Sequence, residues 1–204
     1  MNTEITPASA PDVISKALDI LQAGGLVAFP TDTVYGLGAL AFNDKAVQSI
    51  YIAKDRPIEK AIPILIADIE DMEKVGMDIP EVTYKLAYRF LPGPLTCVIP
   101  KQPTLPEAVS ATSTIGVRIP DHEVARSLLR AAGPMAVTSA NISGQSSPST
   151  AEEVLRQLNG RIPLIIDGGT TPGGVPSTVV DCSLAEIKIL REGPISIDKI
   201  KSAL

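Results

Sequence analysis

The chain of 204 residues is short of the parts that several common chemistries need. It has one histidine, His122, and two cysteines, Cys97 and Cys182. A zinc site of ordinary ligand count cannot be assembled from these. No G-x-S-x-G elbow is present to support a serine–histidine triad, and His122, in "PDHE" at an expected helix start, reads as a surface or capping residue. The cysteines lie far apart within apolar stretches and form no C-x-x-C unit, so they read as two buried reduced thiols. Cations are also short, 18 Lys and Arg against 23 Asp and Glu for a net charge of −5. That balance argues against a protein coated in nucleic acid, which needs clustered cations, but allows a local basic pocket. No apolar run approaches the roughly 20 residues that cross a bilayer, and "MNTEITPASAPD" lacks signal-peptide design. A cytoplasmic location with no membrane partner is expected. The dipeptide Gly-Lys is missing, which excludes a Walker A loop.

What is present favours a packed core, since 45% of residues are hydrophobic and only 20% charged. No repeat, low-complexity tract or long linker interrupts the chain, so residues 1–204 are expected to form a single domain. Helical spacing over Val13–Leu21 ends at Gly24-Gly25, and "LVAFP" follows as a buried strand. A second helix is expected from Asn43 or Asp44 to just before Pro57. Strands are expected at "AIPILIA", "LTCVIP", "IGVRIP", "MAVTSA", "PLIID", "TVVD" and "IKILR". Helices are expected around 69–76, 80–91 and 122–132, from a Thr150/Glu153 capping box to Leu158, and at the C-terminus. The fold class is therefore α/β, a mixed sheet with helices packed on it.

The stretch "FPTDTVYGLGALA" fits G-x-G-x-x-A at Gly36, Gly38 and Ala41. In a dinucleotide fold those glycines directly follow a strand and open a helix. Here they stand several residues beyond Pro30, and a fresh helix start follows at Asn43-Asp44. Extended chain is expected between, which sets a nicotinamide or flavin cofactor aside. Polar and cationic residues instead gather at strand mouths: Thr31, Asp32, Thr33 and Tyr35; Lys54, Arg56 and Lys60; Arg118; Ser139, Asn141 and Ser143; Ser177 and Thr178; and Arg191. Each has a plain structural reading, such as Lys54 satisfying carbonyls at a helix end or Arg118 pairing with Asp121. As a group they offer cations, hydroxyls and an amide without a strong nucleophile, which suits a polyphosphate.

The segments "PTDTVYGLG", "KDRP", "GVRIPDH", "TSANISG", "PSTVVD" and "ILREG", in this order, resemble the YrdC-like domain of threonylcarbamoyl-AMP synthases over residues 10 to 200. The resemblance implies a twisted open mixed sheet with a concave, positively lined cavity. It also implies the conversion of L-threonine, bicarbonate and ATP, with Mg²⁺ bridging phosphate oxygens, to L-threonylcarbamoyladenylate and pyrophosphate. The product would pass to a transferase complex that modifies tRNA to threonylcarbamoyladenosine. By position, Lys54, Arg56, Ser139 and Asn141 are implied as the cationic and polar quartet that holds the nucleotide. Lys60, Thr114, Ser147 and Arg191 are implied as further ATP contacts, and Thr33, Arg118 and Ser177 as threonine contacts. The family's frequent histidine after K-x-R-P is absent, Leu65 standing in its place. Longer relatives carry an extra C-terminal domain, so the chain looks like the short form. The alternatives are a YrdC-like RNA-binding protein without synthase activity and a carbamoyl-transfer module, which would sit in a longer, cysteine-rich chain.

Overall fold

The computed structural model describes residues 2–172, 175–184 and 186–204. In chain order the strands are β1 (Glu4–Pro7), β2 (Val27–Phe29), β3 (Gly36–Leu40), β4 (Ile64–Leu65), β5 (Leu95–Pro100), β6 (Thr114–Arg118), β7 (Met135–Ser139), β8 (Leu164–Asp167), β9 (Thr178–Asp181) and β10 (Lys188–Arg191). They form one ten-stranded sheet in the order β1-β8-β2-β3-β7-β4-β6-β5-β9-β10. Pairing is mixed, parallel for β1–β8 and β5–β9 and antiparallel for β2–β3 and β5–β6. The helices among the described residues are α1 (Val13–Gln22), α2 (Asp44–Lys54), α3 (Met72–Val75), α4 (Glu81–Phe90), α5 (Glu123–Ala132), α6 (Ala151–Leu158) and α7 (Ile197–Lys201).

Because successive side chains of a strand point to opposite faces, the sheet separates two apolar layers. On one face Ala28, Leu37, Ile64, Cys97, Val117, Ala136 and Ile165 pack with α2, α4 and α6. On the other, Val27, Phe29, Leu65, Met135, Val137, Leu164 and Ile166 pack with α1 and α5. The helices of this second layer bury short stripes, Val13, Ala17 and Leu21 on α1 and Ala125, Leu128 and Leu129 on α5. They cover only the half of the sheet around β8, β2 and β3, leaving the β6, β5 and β9 half of that face without a helix.

Several local expectations are met. Asn43 caps α2, accepting from the Ala46 N–H at 3.1 Å, and Thr150 caps α6, accepting from the Glu153 N–H at 3.3 Å. The reciprocal Glu153 carboxylate reaches one residue further back than a capping box requires, to the Ser149 N–H at 2.6 Å. Gly36 and Gly38 lie within β3 and open no helix. A Cβ built on Gly38 would stand 2.7 Å from Met135 Cε and 3.1 Å from Phe29 Cε1, so glycine lets those side chains close over the strand. Cys97 and Cys182 are unlinked thiols buried on the helix-rich face.

Other expectations change. Of "AIPILIA" only Ile64–Leu65 joins the ladder, since Pro63 has no N–H to donate. The helix expected at 69–76 divides into a 3₁₀ turn, Ile69–Asp71, and a single α turn. Strand β1 escaped the sequence reading because four residues at a sheet edge carry almost no periodic signal. The loop expected over 168–177 includes residues 173 and 174, outside the described residues. No described helix is long and apolar enough to cross a membrane.

Candidate active site

The uncovered half of the sheet forms the floor of a cavity of about 620 Å³, within the range of small-molecule sites. Thr96 and Val98 of β5, Thr114, Gly116 and Arg118 of β6, and Val137 and Ser139 of β7 face into it. These alternate with Leu95, Cys97, Ile99 and Val117, which face the opposite core. The walls are loop residues Thr31, Thr33, Arg56, Ser147 and Ser177, with Arg191 at the end of β10.

Three guanidinium groups enter the cavity, each anchored from behind. Arg118, 8% exposed, donates to the Gly93 carbonyl at 3.0 Å, to Thr33 Oγ1 at 3.2 Å and to Asp32 Oδ1 at 2.5 Å. A guanidinium has five N–H bonds, so two remain for a ligand. Arg191 donates from Nε and Nη2 to the Ser177 carbonyl at 3.0 and 2.8 Å and from Nη2 to Ser177 Oγ at 3.1 Å, again leaving two. Arg56 is held by the Lys60 and Ala61 carbonyls at 3.2 and 2.9 Å. Burial pulls all three below the ordinary arginine value. Asp32 opposes that at Arg118, while the charge of Arg191 adds to it. An anion between Arg118 and Arg191 would relieve that mutual repulsion.

The hydroxyl side of the cavity is equally fixed. Thr31 Oγ1 donates to the Val34 carbonyl at 2.6 Å and accepts from the Thr33 N–H at 3.2 Å and the Val34 N–H at 3.3 Å, closing the "TDT" loop as a tight turn. Thr33 Oγ1 thus stands between Thr31 Oγ1, 3.1 Å away, and Arg118. Leu65 lines the cavity beside its β6 neighbour Arg118, an apolar surface where the family's histidine was expected.

The fold brings Thr33, Arg56, Thr114, Arg118, Ser139, Ser147, Ser177 and Arg191 to this one cavity, and leaves Lys54, Lys60 and Asn141 outside its lining. Lys54 lies beneath the floor, 1% exposed. Its Nζ donates to the Ser139 carbonyl and, at 2.5 Å, to the Asn141 carbonyl, and its own carbonyl accepts from the Ser143 N–H at 2.8 Å. It ties the "SANIS" loop to the end of α2. Burial, with help from Arg56, pushes Lys54 down to about 7. A neutral amine keeps two N–H bonds, enough for both carbonyls. Asn141 donates to the Ile142 and Gln145 carbonyls at 2.8 and 2.9 Å, shaping the same loop, while its buried Oδ1 has no partner. Lys60 is exposed and contributes its carbonyl. Tyr35 is a core residue whose hydroxyl donates to the Gly169 carbonyl at 2.8 Å, burial raising it to about 12. Arg118 pairs with Asp32 rather than Asp121.

Four hydroxyl-bearing cavity residues escaped the sequence reading as site residues: Thr96, Ser110, Thr112 and Thr138. The signal for Thr96 was the polar interruption in "LTCVIP", whose alternation with Leu95 and Cys97 aims it away from the core. No carboxylate lines the cavity, and no group of three potential metal ligands exists among the described residues.

This is an α/β protein whose sheet, left bare on one half of one face, carries a cavity that three arginines line. A profile of the Sua5/YciO/YrdC family, described as telomere recombination, matches residues 19–193. The threonylcarbamoyl-AMP synthase of Pyrococcus abyssi is 43% identical over 94% of this chain and 57% of its own length. That of Bacillus subtilis is also 43% identical, over 94% and 56%. The structure of P. abyssi Sua5 complexed with L-threonine superposes with a TM-score of 0.94 at 40% identity, covering 100% of this chain and 61% of that one. The chain belongs to the Sua5/YciO/YrdC family, and it spans little more than half the length of these relatives.

Proposed function

We propose that the chain is an L-threonylcarbamoyladenylate synthase, a nucleotidyltransferase of the cytoplasm acting within a single YrdC-like domain over residues 1–204. The observation that carries the reading is one cavity in which Arg56 and Arg191 share the lining with Arg118, Thr33 and Ser177. The names and the threonine complex of its relatives support the same assignment.

In this reading the two unused N–H bonds of Arg118 take the threonine carboxylate, in the planar geometry a guanidinium offers. Thr33 and Ser177 take its polar groups, and a site built on such bonds rejects valine, which leaves them unpaired. The threonine ammonium first gives its proton to solvent, and the free amine then attacks bicarbonate and, with loss of water, becomes a carbamate. A carbamate oxygen then attacks the α-phosphorus of ATP, the bond from that phosphorus to the bridging oxygen breaks, and pyrophosphate leaves. Arg56 and Arg191, with the hydroxyls of Thr114, Ser139 and Ser147, hold the nucleotide and neutralise the charge that develops on the leaving group. Lys54 and Asn141 contribute by shaping the loop that carries Ser139. ATP enters as its magnesium complex, the metal travelling on the phosphates. The product would serve a transferase that modifies tRNA.

Incubation with ATP, Mg²⁺, bicarbonate and threonine is expected to yield the carbamoyl adenylate by mass, with serine poorer and valine inactive. RNA binding that falls steeply with salt, without threonine-dependent ATP consumption, would replace this reading with the RNA-binding one.

A further inference from the structure

Thr96, on β5, belongs to none of the sequence motifs that marked the site, yet its side chain is 5% exposed, faces the cavity, and lies 2.8 Å from Ser177 Oγ. Ser177, also 5% exposed, is the group to which Arg191 is fastened, through its carbonyl twice and its hydroxyl once. Thr96, Ser177 and Arg191 therefore form one continuous hydrogen-bonded unit. It spans the two halves of the cavity, with Ser177 on the amino-acid side and Arg191 on the nucleotide side.

The surroundings fix this unit from both ends. A Cβ on Gly116 would stand 3.0 Å from Thr96 Cγ2, so the missing side chain on β6 makes the seat for the Thr96 methyl. With the methyl seated there, the hydroxyl is directed at Ser177. At the other end, a Cβ on Gly193 would stand 2.7 Å from both the Pro176 carbonyl oxygen and the Ser177 carbonyl carbon, so the chain after β10 is pressed against the segment carrying Ser177. The donor order also matters. Ser177 Oγ accepts from Arg191 and has a single hydrogen of its own. Either Thr96 donates to Ser177 and frees that hydrogen for a ligand, or Ser177 donates to Thr96 and the Thr96 hydrogen is free instead. In both arrangements the pair presents one hydroxyl hydrogen to the cavity, and removing Thr96 Oγ1 takes away the partner that orients it.

We propose that Thr96 is a positioning residue whose hydroxyl holds Ser177 and Arg191 as one unit, so that the amino-acid and nucleotide halves of the cavity are set together. The inference rests on the synthase reading above. Its test is steady-state pyrophosphate release by the wild type and by Thr96→Val, Thr96→Ser and Thr96→Ala, with threonine and Mg-ATP varied in turn. Thr96→Val keeps the shape and removes the hydroxyl. It is expected to raise KM for threonine about tenfold, the scale of a lost buried hydrogen bond, and KM for ATP by a smaller factor, with the melting temperature lowered by a few degrees at most. Thr96→Ser keeps the hydroxyl and is expected to stay within about twofold of wild type. Normal constants for Thr96→Val, or a Thr96→Ser as impaired as Thr96→Val, would overturn the proposal, the second because the methyl would then be what matters. Should Thr96→Val fail to fold, Thr96→Ala against Thr96→Ser makes the same comparison. A wild-type chain that binds ATP and threonine but makes no product would overturn the synthase reading itself, and the wild-type control alone distinguishes that result.

Discussion

One face of the sheet is built in two ways. Over β8, β2 and β3 its side chains are Leu164, Ile166, Val27 and Phe29, sealed beneath α1 and α5. Over β6, β5 and β9 the same face shows Thr114, Gly116, Arg118, Thr96, Val98 and Val179, with no helix above. The strands use the same alternation in both halves, and both keep the opposite face apolar. What differs is whether a helix covers the residues aimed outward. A bare half must satisfy its polar groups within itself, and it does so by fastening each guanidinium to backbone carbonyls before a ligand arrives. Substitutions in the covered half should therefore act on stability, and those in the bare half on turnover.

The largest expected effect is in the covered half. Phe29 is fully buried between α1, α5 and β3, so Phe29→Ala should lower unfolding free energy by about 3–5 kcal/mol. Chemical denaturation checks this, and the residual folded fraction should retain normal kcat. A variant that folds normally but loses turnover would erase the distinction between the halves. In the bare half, Arg56→Ala removes a cation held by two carbonyls at the cavity wall. Threonine-dependent pyrophosphate release should fall about 10²-fold in kcat/KM, a difference of about 2.7 kcal/mol, while the melting temperature stays within a few degrees. Normal turnover would remove Arg56 from the nucleotide site.

How the halves appear in the sequence follows from what each needs. The covered half was legible because burial demands apolar residues at fixed periods, and α1, α5, β2 and β8 were all read from that pattern. The bare half was legible only where its polar residues stand at strand ends, as Thr33, Arg118, Ser139 and Arg191 do. Thr96 was hidden inside "LTCVIP", where the apolar run masks the alternation. Lys54 and Asn141, read toward the nucleotide, lie outside the cavity lining for a different reason. A lysine and an amide near strand ends suit a phosphate, but α2 and the "SANIS" loop meet in space, and the loop's inward carbonyls take up the lysine. Where a cation goes depends on which backbone groups the fold strands nearby, and sequence spacing does not record that.

The smallest effect tests the boundary between the halves, where Lys54 sits under the cavity floor. Its value in the folded protein is about 7, below the roughly 10.4 of an unfolded lysine. Below pH 7 both states carry the proton, and the cost of burying the charge is present in full. As pH rises through 7 the folded chain releases its proton while the unfolded chain keeps it, so stability climbs toward pH 10. Between pH 7 and 8.5 the gain is expected to be about 1–2 kcal/mol. Lys54→Met, which carries no proton, should flatten this slope while loosening the loop that presents Ser139. Denaturation of both proteins across that pH range measures the difference. A wild-type slope no steeper than that of the methionine variant would mean that Lys54 stays charged beneath the floor, and that its two carbonyls offset both the cost of burial and the repulsion of Arg56.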